Sequence, residues 1–240
     1  MSRRKQTNGT ISGMQVPILY QDDYLLAVNK PAGLATVPGG WEKDDPALVK
    51  LLEADYGRLW IVHRLDKVTS GVVAFARTAE AHQTMSLLFE SHAVTKTYHS
   101  IVCGAPKWDD HTARHPLRIN VGHGHRTVVD HGKGKPAETR FHVLERFAVP
   151  APDRGYALLE AKPTTGRTHQ VRAHLAALGF PLLADTLYGA LPVGRDIISP
   201  LQRPALHAYS LEFEFNGTPF SFTAPYPDDF AQALQKLKAG

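Results

Sequence analysis

The stretch His63-Arg64-Leu65-Asp66-Lys67-Val68-Thr69-Ser70-Gly71 joins two apolar runs, Leu59–Val62 and Gly71–Ala76. Both runs are short and rich in β-branched and aromatic residues, so they read as strands with a loop held at both ends. Similar runs at Tyr24–Val28, Thr97–Val102, Tyr156–Ala161 and Ser210–Phe215 recur at irregular intervals. A strict strand-helix-strand repeat would predict a parallel sheet. The irregular order predicts an α+β fold instead, with a mixed, largely antiparallel sheet and flanking helices.

Two helices are expected. One follows Thr78 as N-cap and places Ala81, Met85, Leu88 and Phe89 on one face. The other follows Thr168, places Val171, Leu175 and Leu178 on one face, and stops at Gly179. Shorter helical segments are expected at Ala47–Asp55 and Asp229–Lys238, and there is no internal repeat or low-complexity segment.

The 240 residues carry 27 Lys+Arg against 23 Asp+Glu, a net charge of +4, and 43% of them are hydrophobic. That suits a globular chain able to bury a core. No apolar run reaches the ~18 residues that span a bilayer, and no signal-peptide segment follows the polar, basic Met1–Gln15. The expectation is a cytoplasmic protein with a flexible tail at 1–15 and one domain at 16–240. The single cysteine, Cys103, lies in the apolar Ile101-Val102-Cys103 and fits a reducing compartment.

The charge is local. From Arg114 to Arg140 there are six Lys/Arg (114, 118, 126, 133, 135, 140) against Asp130 and Glu138, an excess equal to the whole chain's +4. Gly122, Gly124, Gly132 and Gly134 interrupt the span, which suits a hairpin or loop able to approach phosphates. A merely solvated loop is the alternative.

Asp66, between Arg64 and Lys67, can be a carboxylate kept ionised as nucleophile or general base. It can equally be a turn residue that caps backbone amides, helped by Thr69 and Ser70. In Gly166-Arg167-Thr168-His169-Gln170-Val171-Arg172-Ala173-His174-Leu175, helical geometry sets Arg172 and His174 on either flank of the apolar stripe and His169 toward a ligand or solvent. Arg172 there either pairs with a carboxylate across a cleft or lays its stem on the core with a wet head. In Lys96-Thr97-Tyr98-His99-Ser100, alternation puts Lys96 and Tyr98 on one strand face, where the tyrosine can stack on a base or end a sheet.

The 13 histidines do not make a metal site: His169 and His174 diverge on their helix, His111 and His115 lack a zincin pattern, and His123-Gly124-His125 has no supporting ligands. No Walker A sequence, dinucleotide fingerprint or nucleophile elbow is present.

Taken together, the chain resembles the RluA-type pseudouridine synthases. The resemblance rests on Asn29-Lys30-Pro31-Ala32-Gly33, the His63–Gly71 loop, Lys96-Thr97-Tyr98, Lys135…Ala137…Thr139, the Gly166–Leu175 run, Asp185-Thr186-Leu187-Tyr188-Gly189 and Leu206-His207-Ala208. These motifs stand in the family's order from about residue 20 to 230. The resemblance implies a pseudouridine synthase fold with a central cleft. The implied activity is isomerisation of a chosen uridine in tRNA or rRNA, in which the N1–C1′ bond breaks and the base rejoins through C5. It also implies Asp66 as catalytic carboxylate, and Tyr98 as the platform for the target base that also assists late proton loss from C5. Arg172 would be the ion-pair partner of Asp66. Arg64 would fill the gap left in the RNA stack, and Lys96, Arg167 and His169 would contact phosphate or loop. Arg126, Lys133 and Lys135 of the basic span are added as RNA contacts. A base inside a stack hides C1′, so the nucleotide must be swung out and caught on an aromatic face. No metal, nucleotide or redox cofactor is called for, since isomerisation consumes nothing. The implied partner is RNA, with no membrane, and the chain is expected to be a monomer.

Two departures stand out. Where the family commonly has His-Pro…Gly-Asp, this chain has Phe180-Pro181-Leu182-Leu183-Ala184-Asp185. Too few residues precede Val16 for the N-terminal S4-type RNA-binding module, so the resemblance is to stand-alone catalytic members. An RNA-binding or remodelling protein with little turnover is the competing reading. A hydrolase would need a water-activating partner for Asp66 that the sequence does not identify.

Overall fold

The computed structural model describes residues 8–11, 14–39, 46–122, 124–148, 155–189 and 201–239. Residues 1–7, 12–13 and His123 lie outside them, and with these most of the expected tail and half of the His123–His125 pair. The chain forms two compact units, residues 1–96 with 208–225 and residues 97–207 with 226–240.

In the first unit, β1 (Asn8–Ile11), β2 (Met14–Gln21), β3 (Leu25–Lys30), β5 (Ser70–Ala76) and β12 (Leu206–Phe215) neighbour one another in that order. β4 (Trp60–Ile61) pairs with β5, and β13 (Thr218–Thr223) with β12. Every residue of β5 is buried, as a Val-, Ala- and Phe-rich central strand should be. α2 (Ala79–Glu90) covers this sheet through Ala81 and Met85, with Leu88 and Phe89 partly buried beside them. Its N-cap is Thr78, whose hydroxyl accepts from the Ala81 N–H at 3.1 Å. α1 (Leu48–Tyr56) buries Leu48, Val49 and Leu52.

In the second unit, β6 (Thr95–Cys103), β11 (Tyr156–Pro163), β10 (Thr139–Phe147) and β7 (Asp110–Ala113) follow one another with antiparallel pairing. β8 (Leu117–Val121) and β9 (Arg126–Val129) form a separate hairpin. α3 (Gln170–Ala177) packs Val171 and Leu175 on the sheet, and α4 (Asp228–Ala239) packs Phe230, Ala233, Leu234 and Leu237.

The α+β class with largely antiparallel pairing agrees with the sequence reading, and three details differ. Strand pairing reaches into the stretch read as a tail, because β1 and β2 pair from Asn8↔Pro17 to Ile11↔Met14. The run Leu59–Val62 shrinks to two paired residues, Trp60↔Ala76 and Ile61↔Phe75. α3 begins after His169, not Thr168: His169 is the N-cap, in the left-handed region at φ 53°, and makes no side-chain cap. Among the described residues no helix is long and apolar enough to cross a membrane.

Gly71 opens β5 at φ +119°, and a Cβ there would lie 2.1 Å from the Ala208 carbonyl oxygen. Neither the dihedral nor the space admits a side chain. Gly71→Ala is expected to destabilise the chain by about 3 kcal/mol or more, read as a lowered urea midpoint; an unchanged midpoint would show that the two backbones separate freely.

Candidate active site

The Asp66 loop is fixed by its neighbours on both sides. Before it, the Leu65 N–H donates to the Thr36 hydroxyl at 3.1 Å, and that hydroxyl donates to the Leu65 carbonyl at 3.0 Å. After it, the Lys67 carbonyl accepts from the Gly33 N–H at 2.8 Å and from Lys30 Nζ at 3.3 Å. Lys30 is fully buried, and its ammonium also donates to the carbonyls of Leu34 at 2.7 Å and Pro31 at 2.9 Å. Three carbonyl oxygens match the three protons of a lysine ammonium, the condition for keeping one inside a protein. The turn itself closes through the Asp66 carbonyl and the Thr69 N–H at 3.0 Å. Asp66 is half-buried and Arg64 exposed.

His63 opens this loop. Its ring stacks on Phe89 with centroids 4.9 Å apart, and its Nε2 accepts from the Ala74 N–H at 3.0 Å. Burial, with the charge of Lys96 adding to it, lowers its pKa to about 3. Burial also lowers the pKa of Lys96. Both effects share their main cause: an apolar surrounding disfavours a cation.

In the second unit, Tyr98 pairs with Ala161 across β6 and β11 and packs partly buried against the apolar cluster under α3. Arg172 is buried, and its head is not wet. Its Nε and Nη2 donate to the two oxygens of Asp185, each at 2.8 Å, and its guanidinium carbon lies 5.1 Å from the centre of the Tyr188 ring. Asp185, fully buried, also accepts from the N–H groups of Leu187 at 3.2 Å and Tyr188 at 3.3 Å. The carboxylate that fixes Arg172 in its own unit is therefore 13 residues along the chain. Asp66, the partner implied by the resemblance, belongs to the other unit.

The Tyr188 hydroxyl accepts from the Thr127 N–H at 2.8 Å and lies 3.3 Å from His169 Nδ1, which brings His169 to this group. Burial raises the Tyr188 pKa. The Thr127 hydroxyl donates to the Thr168 carbonyl at 2.8 Å, so β9 is tied to the start of α3. Arg167 reaches the Pro136 carbonyl at 3.5 Å through Nη2, and its Nε is buried without a hydrogen-bond partner. Arg126, Lys133 and Lys135 are exposed.

Three buried polar groups under α3 have directions that follow from one another. Gln170 Nε2 donates to the Thr139 hydroxyl at 3.1 Å, and that hydroxyl meets His174 Nδ1 at 2.9 Å. His174 Nε2 meets the His115 carbonyl, which can only accept, at 3.0 Å. The proton is on Nε2, Nδ1 accepts from Thr139, and the ring is neutral. Burial lowers its pKa, and lowers that of His99 to about 4. Among the described residues no group of His, Cys, Asp or Glu could hold a metal ion.

Sequence reading missed Asp185, Tyr188, Thr127, Lys30 and Thr36. Asp185, Tyr188 and Lys30 lay inside the motifs quoted for the resemblance, and the detectable signal was the need of a buried guanidinium for a nearby acid. The replaced glycine also matters here: Ala184 takes φ 59°, the left-handed region, directly before Asp185.

Ala184→Gly should therefore remove strain of about 1–2 kcal/mol, less the ~0.5–1 kcal/mol of chain entropy that glycine adds to the unfolded state. The expected result is a melting temperature higher by about 2 °C in calorimetry; a lower one would show that the turn needs the methyl group. The histidines give a pH prediction. His63, His99 and His174 are neutral when folded, whereas unfolded histidine takes up its proton near pH 6.5. Between those values the unfolded chain binds more protons, so stability rises with pH. Their contribution is complete above about pH 7 and is lost as pH falls through 6.5 toward 4 and 3. His63→Gln keeps an acceptor for Ala74 and removes one titration, which should flatten the pH 5–6 stability slope by up to about 1.4 kcal/mol per pH unit. Parallel curves for the two proteins would refute the assignment.

Comparison with known proteins gives a consistent answer. The RNA pseudouridylate synthase family matches residues 24–177. The ribosomal large subunit pseudouridine synthase D of Haemophilus ducreyi is 34% identical over 240 residues, covering 92% of this chain and 70% of that protein. Its namesake in Nitrosomonas europaea is 36% identical over 238 residues, covering 92% and 65%. Among solved structures, human RNA pseudouridylate synthase domain containing 4 superposes with a TM-score of 0.74 at 24% identity, over 92% of both chains. Human RNA pseudouridylate synthase domain containing 1 does so at 0.72 and 26%, over 94% and 95%. With motifs, fold and relatives in agreement, this chain belongs to the RNA pseudouridylate synthase family, of the RluA type, and is an isomerase of RNA uridine.

Proposed function

We propose that the chain isomerises a uridine of large-subunit ribosomal RNA, with Asp66 as the catalytic carboxylate. The observation that carries the assignment of Asp66 is its loop, held through Leu65 by Thr36 and through Lys67 by Lys30 and Gly33. A reacting group must be held to a fraction of an ångström, and a loop pinned through its backbone on both sides provides that. The names of the bacterial relatives favour ribosomal over transfer RNA.

In this reading the target nucleotide leaves the RNA stack and lies on Tyr98, with Arg64 taking its place. The N1–C1′ bond breaks, the base turns, and C5 bonds to C1′. C5 then loses its proton and N1 gains one, so atoms and charge balance without a co-reactant. Tyr98 assists the loss from C5. Arg172 is the cation that keeps Asp66 ionised during turnover, and Asp185 supports it by fixing the guanidinium through two nitrogens. Lys96, Arg167 and His169 contact phosphate or loop. The protein acts in the cytoplasm as a monomer and needs no cofactor.

Asp66→Ala should lower pseudouridine formation by at least about 10³-fold, while RNA affinity stays within a few-fold, because the carboxylate serves chemistry more than binding. Carbodiimide-adduct mapping of RNA from cells with and without the gene should show one large-subunit position lost. Loss at a transfer-RNA position instead would overturn the substrate, and full turnover by Asp66→Ala would overturn the catalytic assignment.

A further inference from the structure

The basic span from Arg114 to Arg140 is not uniform. Arg114 Nε donates to Glu138 Oε2 at 2.8 Å and Arg140 Nε to Glu138 Oε1 at 3.4 Å. Arg118 Nη1 donates to Asp130 Oδ2 at 3.1 Å. Both acids are held ionised: the Lys133 and Gly132 N–H groups with Arg118 lower the Asp130 pKa, and Arg114 with Arg140 lowers that of Glu138. The turn that presents Asp130 is built for its purpose. A Cβ on Gly134 would lie 2.3 Å from the Asp130 carbonyl oxygen and 2.7 Å from the Pro116 carbonyl carbon, so only glycine fits.

Arg126, Lys133 and Lys135 differ from these. All three are exposed, and among the described residues none of them enters an ion pair. Three arginines share two acids, so Arg126, Lys133 and Lys135 supply three of the four excess charges of the span.

These three cations stand on a braced arm. β8 pairs with β9, and Leu117 exchanges both backbone hydrogen bonds with Lys135, at 2.8 and 2.9 Å. Leu117 is buried with Ala137, which precedes β10, and Ala173 of α3. Through Thr127 the arm is bonded to Tyr188 and to the Thr168 carbonyl, and the Tyr188 ring lies against Arg172. Whatever this arm grips is held in fixed register with the guanidinium of Arg172.

We propose that the β8–β9 arm grips the RNA backbone through Arg126, Lys133 and Lys135, while Arg114 and Arg118 neutralise Glu138 and Asp130 and touch no phosphate. The proposal rests on RNA as the substrate and adds which cations contact it outside the target nucleotide. Phosphate binding releases counterions only when an uncompensated cation takes their place. A cation already engaged by a carboxylate must first give up that partner.

The test is the salt dependence of binding to in-vitro-transcribed large-subunit ribosomal RNA between 50 and 200 mM KCl. Arg126→Gln/Lys133→Gln/Lys135→Gln should lower the slope of log affinity against log salt by about 2, at ~0.7 per contact on single strands. Over that fourfold salt range the wild type would then lose about 16-fold more affinity than the variant. The control removes one ion pair whole, as Arg118→Gln/Asp130→Asn, because Glu138 is shared between Arg114 and Arg140. Net charge is then unchanged, and the amide that replaces the Asp130 carboxylate keeps an acceptor oxygen for the turn. The slope of the control should equal that of the wild type. Equal losses in both variants, or an unchanged slope in the first, would overturn the proposal, as would a protein ligand that alone distinguishes them. Melting curves establish that each variant is folded. Pseudouridine formation by the wild type in the same RNA separates the two failures: turnover with an unchanged slope removes the arm alone, and no turnover removes the substrate.

Discussion

The ammonium of Lys30 is the constraint on which the Asp66 loop depends. A cation with no exposed surface is tolerable only if every proton finds an acceptor, and here Pro31, Leu34 and Lys67 supply them. Two of those carbonyls belong to the segment that follows β3 and the third to the Asp66 loop. One buried charge therefore ties two distant pieces of chain through backbone atoms. The tie is stronger than a packing contact because its rupture would leave a charge in an apolar place. Thr36 does the same with a neutral group, giving and accepting one hydrogen bond with Leu65. Asp66 is held between these two anchors through the backbone of its neighbours.

The pair of Arg172 and Asp185 follows the same logic in the second unit. Its worth is positional: a buried ion pair adds little net stability over an apolar pair of the same shape, whereas removing one partner alone costs about 3–5 kcal/mol. The fork of the guanidinium against the carboxylate fixes both distance and plane. The Tyr188 ring then closes one face of the guanidinium. Because Tyr188 also receives the Thr127 N–H, the hairpin and the arginine share one support. Ala184 holds a strained dihedral next to this support, as is common where geometry near a site outweighs local preference.

How much of this could be read from the sequence depends on the kind of interaction. Periodicity found α2 and its Thr78 cap because both are local, and it found β5 because this buried strand is apolar from Gly71 to Ala76. It missed β10, whose alternation is strict from Thr139 to Val143 but whose outer face is charged and lies beside the basic span. The resemblance drew attention to Asp66 and Arg172 but left Asp185 and Lys30 as letters in a motif. Their roles are non-local: a hydrogen bond 37 residues away in sequence, from Lys30 to Lys67, leaves no periodic trace. His174 was placed correctly at the border of the stripe, yet its burial depends on Thr139 and His115, 35 and 59 residues distant.

His63 and His174 serve the fold as neutral rings, not as cations. A protonated imidazole under α3 would leave the Thr139 hydroxyl facing two donors, from Gln170 and from Nδ1. A protonated His63 would likewise lose the lone pair that receives the Ala74 N–H. Each ring is kept neutral by a hydrogen bond that needs an acceptor, and burial adds to that preference. Permanent charge, by contrast, is carried by lysine and arginine, either buried with matched partners, as in Lys30 and Arg172, or exposed on the β8–β9 arm. This division puts the fixed charge of Arg126, Lys133 and Lys135 on the arm, while His63 and His174 are committed to holding the fold.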